Sequence, residues 1–360
     1  MKNAMKIASA LLALVFAMLS FAACGKTETP DNTTDSSAAS SADSSASAET
    51  PATVKKVGII QYISHPSLDN CYAGVEAALK ERFGDNVVIN RQIGSDTSAD
   101  TDCGTYASQF AAQNYDMIVA IATPAASSAV AAAEDKDIPV VFCSVSDPMS
   151  IGLVESMEKP GFNCSGTSDV LDMAAQVKLI RAMQPDVKKI GVLYTTSEAN
   201  SITQLGLLEE AAKAYGIEII ASGIQNDADI PAAATALAAK VDCFNNFTDN
   251  KVVNNLSVVL EATNAAGIPV YGSEIEQVKN GCLASVSIDY VALGKVTGNM
   301  AADALEGAKL ADMAVKTISD ATPVVNTDVL ASAYFAGTKS LDEILPLMES
   351  RITIFLSEGR

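Results

Sequence analysis

The chain has 360 residues, 49% hydrophobic and 19% charged, with 21 Gly, 12 Pro and no Trp. That is enough for two domains with their own cores, and the balance excludes a collagen, a coiled coil or a wholly disordered chain. The formal net charge is −19, which repels phosphate backbones and anionic headgroups and argues against nucleic acid as a partner.

At the N-terminus, Lys2 and Lys6 precede an apolar run from Ile7 to Phe21, which ends in Phe21-Ala22-Ala23-Cys24-Gly25. A short basic stretch, an apolar run of this length and small residues before a cysteine resemble a bacterial lipoprotein signal. That signal implies removal of residues 1–23 and lipidation of Cys24. An uncleaved anchor is the other reading, because the run approaches the ~20 residues that span a bilayer. Both place the body of the protein outside the cytoplasmic membrane. From Cys24 to residue 53 the chain is nearly all Ser, Ala, Thr, Asp, Glu and Pro. Such a stretch buries too little apolar area to offset its ordering entropy and reads as a flexible tether.

Beyond the tether, strand and helix patterns alternate. Val57-Gly58-Ile59-Ile60, Val87-Val88-Ile89, Met117 to Ile121 and Pro139 to Phe142 are short apolar strands. Helical patterns separate them: Leu68 to Phe83, Ser98 to Gln113, and an Ala-rich stretch opened by Thr123-Pro124. A second series follows a helix from Val170 to Met183. Its strands are Lys189 to Tyr194, Ile217 to Ile220, Val241 to Phe244 and Pro269 to Tyr271, with a helix from Ser201 to Tyr215 stopped by Gly216. Apolar strands bounded by helices imply parallel sheets covered on both faces. The fold class is therefore α/β, with two Rossmann-like lobes. Leu283 to Ile288, a helix from Tyr290 to Glu306, and Thr322-Pro323-Val324-Val325 come after the second series. These extra elements predict that the chain returns to the first lobe and crosses back through a multi-strand hinge. The expected division is 54–165 plus about 290–318 for the N-terminal lobe, and 166–289 plus about 322–360 for the C-terminal lobe. Ile352 to Leu356 reads as a last strand or a packed end.

Six cysteines remain beside Cys24, an even number that can pair. Several lie inside apolar strand patterns, which favours buried thiols acting as small hydrophobes. They have no metal-ligand spacing, and the one histidine, His65, leaves a zinc site short of ligands. Neither a nucleophile elbow nor a phosphate-binding loop is present, and His65 reads as a loop or capping residue. No cofactor, metal or catalytic residue is expected.

In parallel α/β lobes the loops at the carboxyl ends of strands face the crevice. Those loops here carry Gln61-Tyr62, Thr123-Pro124-Ala125, Ser146-Asp147, Ser197-Glu198-Ala199-Asn200-Ser201, Asp249-Asn250 and Glu274. Hydroxyls at helix starts, beside unsatisfied N–H groups, can hold a carboxylate, and opposing acids can hold an ammonium. A small zwitterion such as an amino acid fits that combination. Each residue, taken singly, is equally an ordinary helix N-cap.

The words at these positions resemble a known family. Ile60-Gln61-Tyr62-Ile63-Ser64-His65-Pro66-Ser67-Leu68-Asp69, Ala122-Thr123-Pro124-Ala125 and Val145-Ser146-Asp147-Pro148 carry the resemblance in the first series. Lys189 to Ser201, Thr248-Asp249-Asn250, Tyr271-Gly272-Ser273-Glu274 and Ile288 to Gly294 carry it in the second. They are similar to the substrate-binding lipoproteins of ABC importers related to tryptophan and tyrosine uptake. The resemblance implies a type I periplasmic-binding fold with a three-strand hinge, closing on amino acids, aromatic ones among them. It also implies docking on an ABC permease with its ATPase. It puts Gln61, Thr123, Ala125, Ser146 and Asp147 on one wall, and Ser197, Glu198, Asn200, Ser201, Asp249, Asn250 and Glu274 on the other. Asp249 would hold the ammonium, Thr123 and Ser201 the carboxylate, and Tyr62 would stack on a flat side chain. A nucleoside or sugar as ligand, or service to a sensor, remain the alternatives, because this fold serves all of these.

Overall fold

The computed structural model describes residues 53–318, 322–331, 340, 343 and 353–355. The leader, Cys24 and nearly all of the tether lie outside these residues. The first lobe is built from β1 (Lys55–Gln61), α1 (Pro66–Phe83), β2 (Val87–Ile93), α2 (Ala99–Ala112), β3 (Met117–Ile121), α3 (Thr123–Ala133), β4 (Val140–Cys143) and β5 (Cys164–Ser168). The second follows with α4 (Met173–Met183), β6 (Lys189–Thr195), α5 (Ala199–Lys213), β7 (Glu218–Ile224), α6 (Ile230–Ala238), β8 (Cys243–Asn245), α7 (Asn250–Asn254), α8 (Leu256–Ala266), β9 (Val270–Tyr271), α9 (Ile275–Lys279) and β10 (Ala284–Ser287). The chain then returns as α10 (Tyr290–Leu305) and β11 (Lys316–Thr317), and leaves again as β12 (Thr322–Asn326), α11 (Thr327–Ala331) and β13 (Thr353–Phe355).

One sheet has the order β11-β5-β4-β3-β1-β2, the other β13-β12-β10-β9-β8-β6-β7. All pairings are parallel except β10 with β12. Sheet membership shows that the chain passes between lobes three times: after Ser168, after Ser287 and after Thr317. The doubly wound, hinged α/β fold read from the sequence is the fold of the protein.

Period-two alternation explains why both faces of the second sheet are apolar. Val192, Cys243 and Tyr271 join one buried cluster, while their neighbours Leu193, Phe244 and Val270 join another. The first lobe has one continuous core, to which the returning α10 contributes Leu293, Met300 and Ala301. α10 crosses α1 with backbones nearly touching. A Cβ on Gly294 would lie 2.2 Å from the Cys71 carbonyl oxygen, and one on Gly74 2.2 Å from that of Val291. The return crossing is thus locked into the first lobe. Cys71, Cys103, Cys143, Cys164, Cys243 and Cys282 are all buried free thiols.

Strand β5 escapes the apolar-run criterion because its sequence is Cys-Ser-Gly-Thr-Ser. It is buried along its length because its hydroxyls find partners. Ser165 donates to the Met313 carbonyl at 2.6 Å, Thr167 donates to Thr297 Oγ1 at 2.7 Å, and Ser168 donates to the Ser146 carbonyl at 2.9 Å.

Candidate functional site

The carboxyl ends of β1, β3, β4 and β5 face the starts of α5, α7 and α9 across a narrow gap. His65, Ser67, Thr123, Ser146 and Asp169 line it from the first lobe, and Asn200, Thr248, Asn250 and Glu274 from the second. Leu68, Ala122, Val253 and Tyr290 add apolar surface. The cavity between the walls is only about 10 Å³. That is room for about one water, so a guest of amino-acid size enters only when the lobes part.

Hydrogen bonds tie the lobes together across the gap. The Gln204 carboxamide donates to Ser146 Oγ at 3.0 Å, His65 Nε2 meets Asn250 Oδ1 at 3.3 Å, and Asn70 Nδ2 donates to Glu276 Oε1 at 3.3 Å. His65 occupies the N-cap position of α1 but its side chain caps nothing. The capping role read from the sequence is therefore replaced by a contact across the lobes.

Asp169, in the first crossing, is the centre of the first wall. Its carboxylate accepts from Ser144 Oγ at 2.7 Å, Ser146 Oγ at 2.8 Å and Tyr290 Oη at 3.1 Å. Opposite it, Glu274 accepts from the amides of Glu276 and Gln277, as the N-cap of α9. Burial pushes its pKa up to about 7.

Among the described residues, three buried polar atoms on these walls have no protein partner: His65 Nδ1, Thr123 Oγ1 and Asn200 Oδ1. A buried polar atom without a partner costs about 1–3 kcal/mol, and such atoms are rare in native interiors. Three of them around one cavity point to a polar guest. Ala122, whose carbonyl opens α3, adds backbone strain at the same place with φ 83° and ψ 155°, a region that is nearly glycine-only.

Of the thirteen residues read from the sequence, Thr123, Ser146, Asn200, Asn250 and Glu274 line the cavity. The others take different places. Gln61 is held by Asp69, Arg91 and the Ile63 carbonyl, and Tyr62 lies in a separate small cleft with Asp100 and Lys251. Ala125 is buried inside α3, Asp147 accepts from the Ser150 amide in a turn, and Ser197 is exposed. Asp249 is fully buried, and four donors of its own lobe fill its carboxylate. These are the Thr195 amide at 2.6 Å, Thr195 Oγ1 at 2.8 Å, Ser201 Oγ at 2.7 Å and the Val252 amide at 3.0 Å. It organises the loops behind the cavity rather than facing into it, and Ser201 is spent on it.

Glu198 also lies one layer back. It accepts from the Asn250 amide and carboxamide and from the Asn200 carboxamide, at 3.0, 2.7 and 3.1 Å. Burial first, and the neighbouring Asp249 charge second, raise its pKa above the usual carboxylate range. Asp169, Ser67, Ser144 and Tyr290 were not read as site residues. Asp169 follows the strand that apolar patterning overlooks, and recognising β5 would have exposed it by the strand-end rule.

Two hinged α/β lobes closing on a buried polar cavity, with three crossings between them, define a solute-binding protein of the type I periplasmic class. Residues 56–341 match the family described as ABC transporter substrate binding protein, and the chain belongs to that family. It is a binding protein, not an enzyme. It is 38% identical over 279 residues to the tyrosine-binding protein of Clostridioides difficile strain R20291, covering 77% of this chain and 80% of that one. A Streptococcus pneumoniae ABC domain solved in complex with L-Trp is 33% identical, with a TM-score of 0.77, over 84% of this chain and 100% of that one. The ligand-free, open structure of a Clostridium difficile substrate binding protein with adhesive properties is 35% identical over 84% of this chain and 99% of that one, but its TM-score is 0.62.

Proposed function

We propose that this chain captures a free amino acid with an apolar or aromatic side chain and delivers it to an ABC permease driven by its ATPase. In this reading it works outside the cytoplasmic membrane, tethered through lipidated Cys24. Among the described residues no helix is long and apolar enough to cross a membrane. The observation that carries the reading is the pairing of opposite recognition chemistries in one cavity. Thr123 Oγ1, unpartnered at the start of α3, together with that helix's first amides, suits a carboxylate. Asp169 and Glu274, both buried on the cavity wall, suit an ammonium. Because Asp249 is already saturated, the ammonium site moves from Asp249 to this pair. Leu68, Val253 and the Tyr290 ring offer apolar surface for a side chain. The tyrosine-binding relative and the L-Trp-bound structure support the same class of guest.

Native mass spectrometry of the protein purified from its own host tests this. A retained mass equal to tyrosine, tryptophan or another amino acid supports the reading; a sugar or nucleoside overturns it.

A further inference from the structure

The contact between His65 and Asn250 has a direction. Glu198 Oε2 receives three N–H groups, from the Asn250 backbone, the Asn250 carboxamide and the Asn200 carboxamide. An oxygen so surrounded is an acceptor, whether or not the other carboxyl oxygen carries a proton. The Asn250 carboxamide must therefore turn its NH2 to Glu198, which leaves Oδ1 facing His65. Oδ1 only accepts, so His65 Nε2 must be the protonated nitrogen. In a neutral ring Nδ1 is then a bare lone pair.

Burial lowers the His65 pKa to about 4, against smaller opposing effects of Asn250 and Asp69, so the ring is neutral near pH 7. The side chain is 7% exposed, lines the cavity, and its Nδ1 has no protein partner. Glu274 borders both the cavity and the outer groove beside His65. The two acceptors thus border the same cavity from opposite lobes.

We propose that His65 is a guest-binding residue whose Nδ1 lone pair accepts a hydrogen bond from the guest's ammonium, in a tautomer set by the Glu198–Asn250 pair when the lobes close. This rests on the amino-acid reading above and deepens it. The ring belongs to the first lobe and the pair that orients it to the second. Closure and recognition are therefore one event, and Glu198 is a positioning residue two contacts from the guest.

His65 is the single histidine of the chain, so a 15N-histidine-labelled sample gives one imidazole to read by NMR. The test is run on the whole protein with L-tyrosine as the probe, and binding is followed by calorimetry on the same sample. The expected bound spectrum shows an Nε2–H tautomer with the Nδ1 resonance moved on saturation. Glu198→Gln mixes the tautomers, and His65→Phe weakens L-tyrosine binding about 10-fold or more, the loss of one hydrogen bond to a charged group. An Nδ1–H tautomer in the wild type saturated with L-tyrosine overturns the proposal. So does saturation by L-tyrosine with an unmoved Nδ1. A chain that gives no binding heat with L-tyrosine or L-tryptophan contradicts the amino-acid reading, and this proposal with it.

Discussion

Gln204 of the second lobe donates to the Ser146 hydroxyl of the first at 3.0 Å, and that hydroxyl donates onward to Asp169 at 2.8 Å. The carboxamide also donates to Thr248 Oγ1 at 2.7 Å. Closure therefore completes a chain that ends on the acid of the first wall. Replacing Gln204 by Leu keeps the volume of the side chain but removes the link. The expected outcome is affinity for L-tyrosine reduced about 5–10-fold, the value of one such bond, mainly through faster dissociation. Stopped-flow measurement of both rate constants checks it, and an unchanged dissociation rate counts against the link.

Asp249 is a structural anchor, and its removal leaves the Thr195 amide, the Ser201 hydroxyl and the Val252 amide buried without an acceptor. Asp249→Ala is expected to lower stability by about 3–5 kcal/mol in urea unfolding. A variant as stable as the wild type that has merely lost binding is what a guest contact would give, and would reverse this assignment.

Glu274 makes stability depend on pH. Its folded pKa of about 7 lies above the ordinary 4.5, so between these values the native state holds a proton that the unfolded chain has released. Stability contributed by this group is present below pH 4.5 and is lost as pH rises through 7, a swing of about 3 kcal/mol. His65, with its lowered pKa, acts in the opposite sense at acid pH. The comparison to make is therefore wild type against Glu274→Gln. The two stability curves should meet below pH 4.5 and diverge up to pH 7, with the wild type lower from there on. Parallel curves contradict the shift. An ammonium beside Glu274 favours its charged form, so binding near pH 7 should also release protons, visible in calorimetry with buffers of different ionisation enthalpy.

Ala122 holds a backbone conformation that costs about 1–3 kcal/mol for a residue with a Cβ, and it sits where α3 turns its first residue, Thr123, into the cavity. Ala122→Gly relieves that strain at some cost in unfolded-state entropy. A gain of about 1 kcal/mol in urea unfolding is expected, with L-tyrosine affinity unchanged or reduced. A loss of stability would show that the turn is unstrained.

The lobes are legible in the sequence because continuous apolar strands separated by helices leave few alternatives, and the return of α10 follows from elements left over after the second series. β5 is not legible in this way, since its burial depends on hydroxyl partners supplied by Met313, Thr297 and Ser146, far away in sequence. Missing it hides Asp169. The strand-end loops do point to the cavity through Thr123, Ser146, Asn200, Asn250 and Glu274. Local sequence cannot separate these from Asp249 and Ser201, because a cap that faces a guest and a cap that faces its own lobe have the same composition. His65 is a further case. Its surroundings in the chain resemble a helix start, and only the approach of Asn250 from the other lobe gives its ring a partner.

The most direct measurement is calorimetry on the full chain, unfolded and refolded to strip any retained guest, with L-tyrosine and with 3-(4-hydroxyphenyl)propanoate, which lacks the ammonium. The account predicts one-site binding of L-tyrosine and a loss of about 100-fold or more for the desamino acid, because Asp169 and Glu274 would be left buried without their cation. Equal affinities for the two compounds would contradict it.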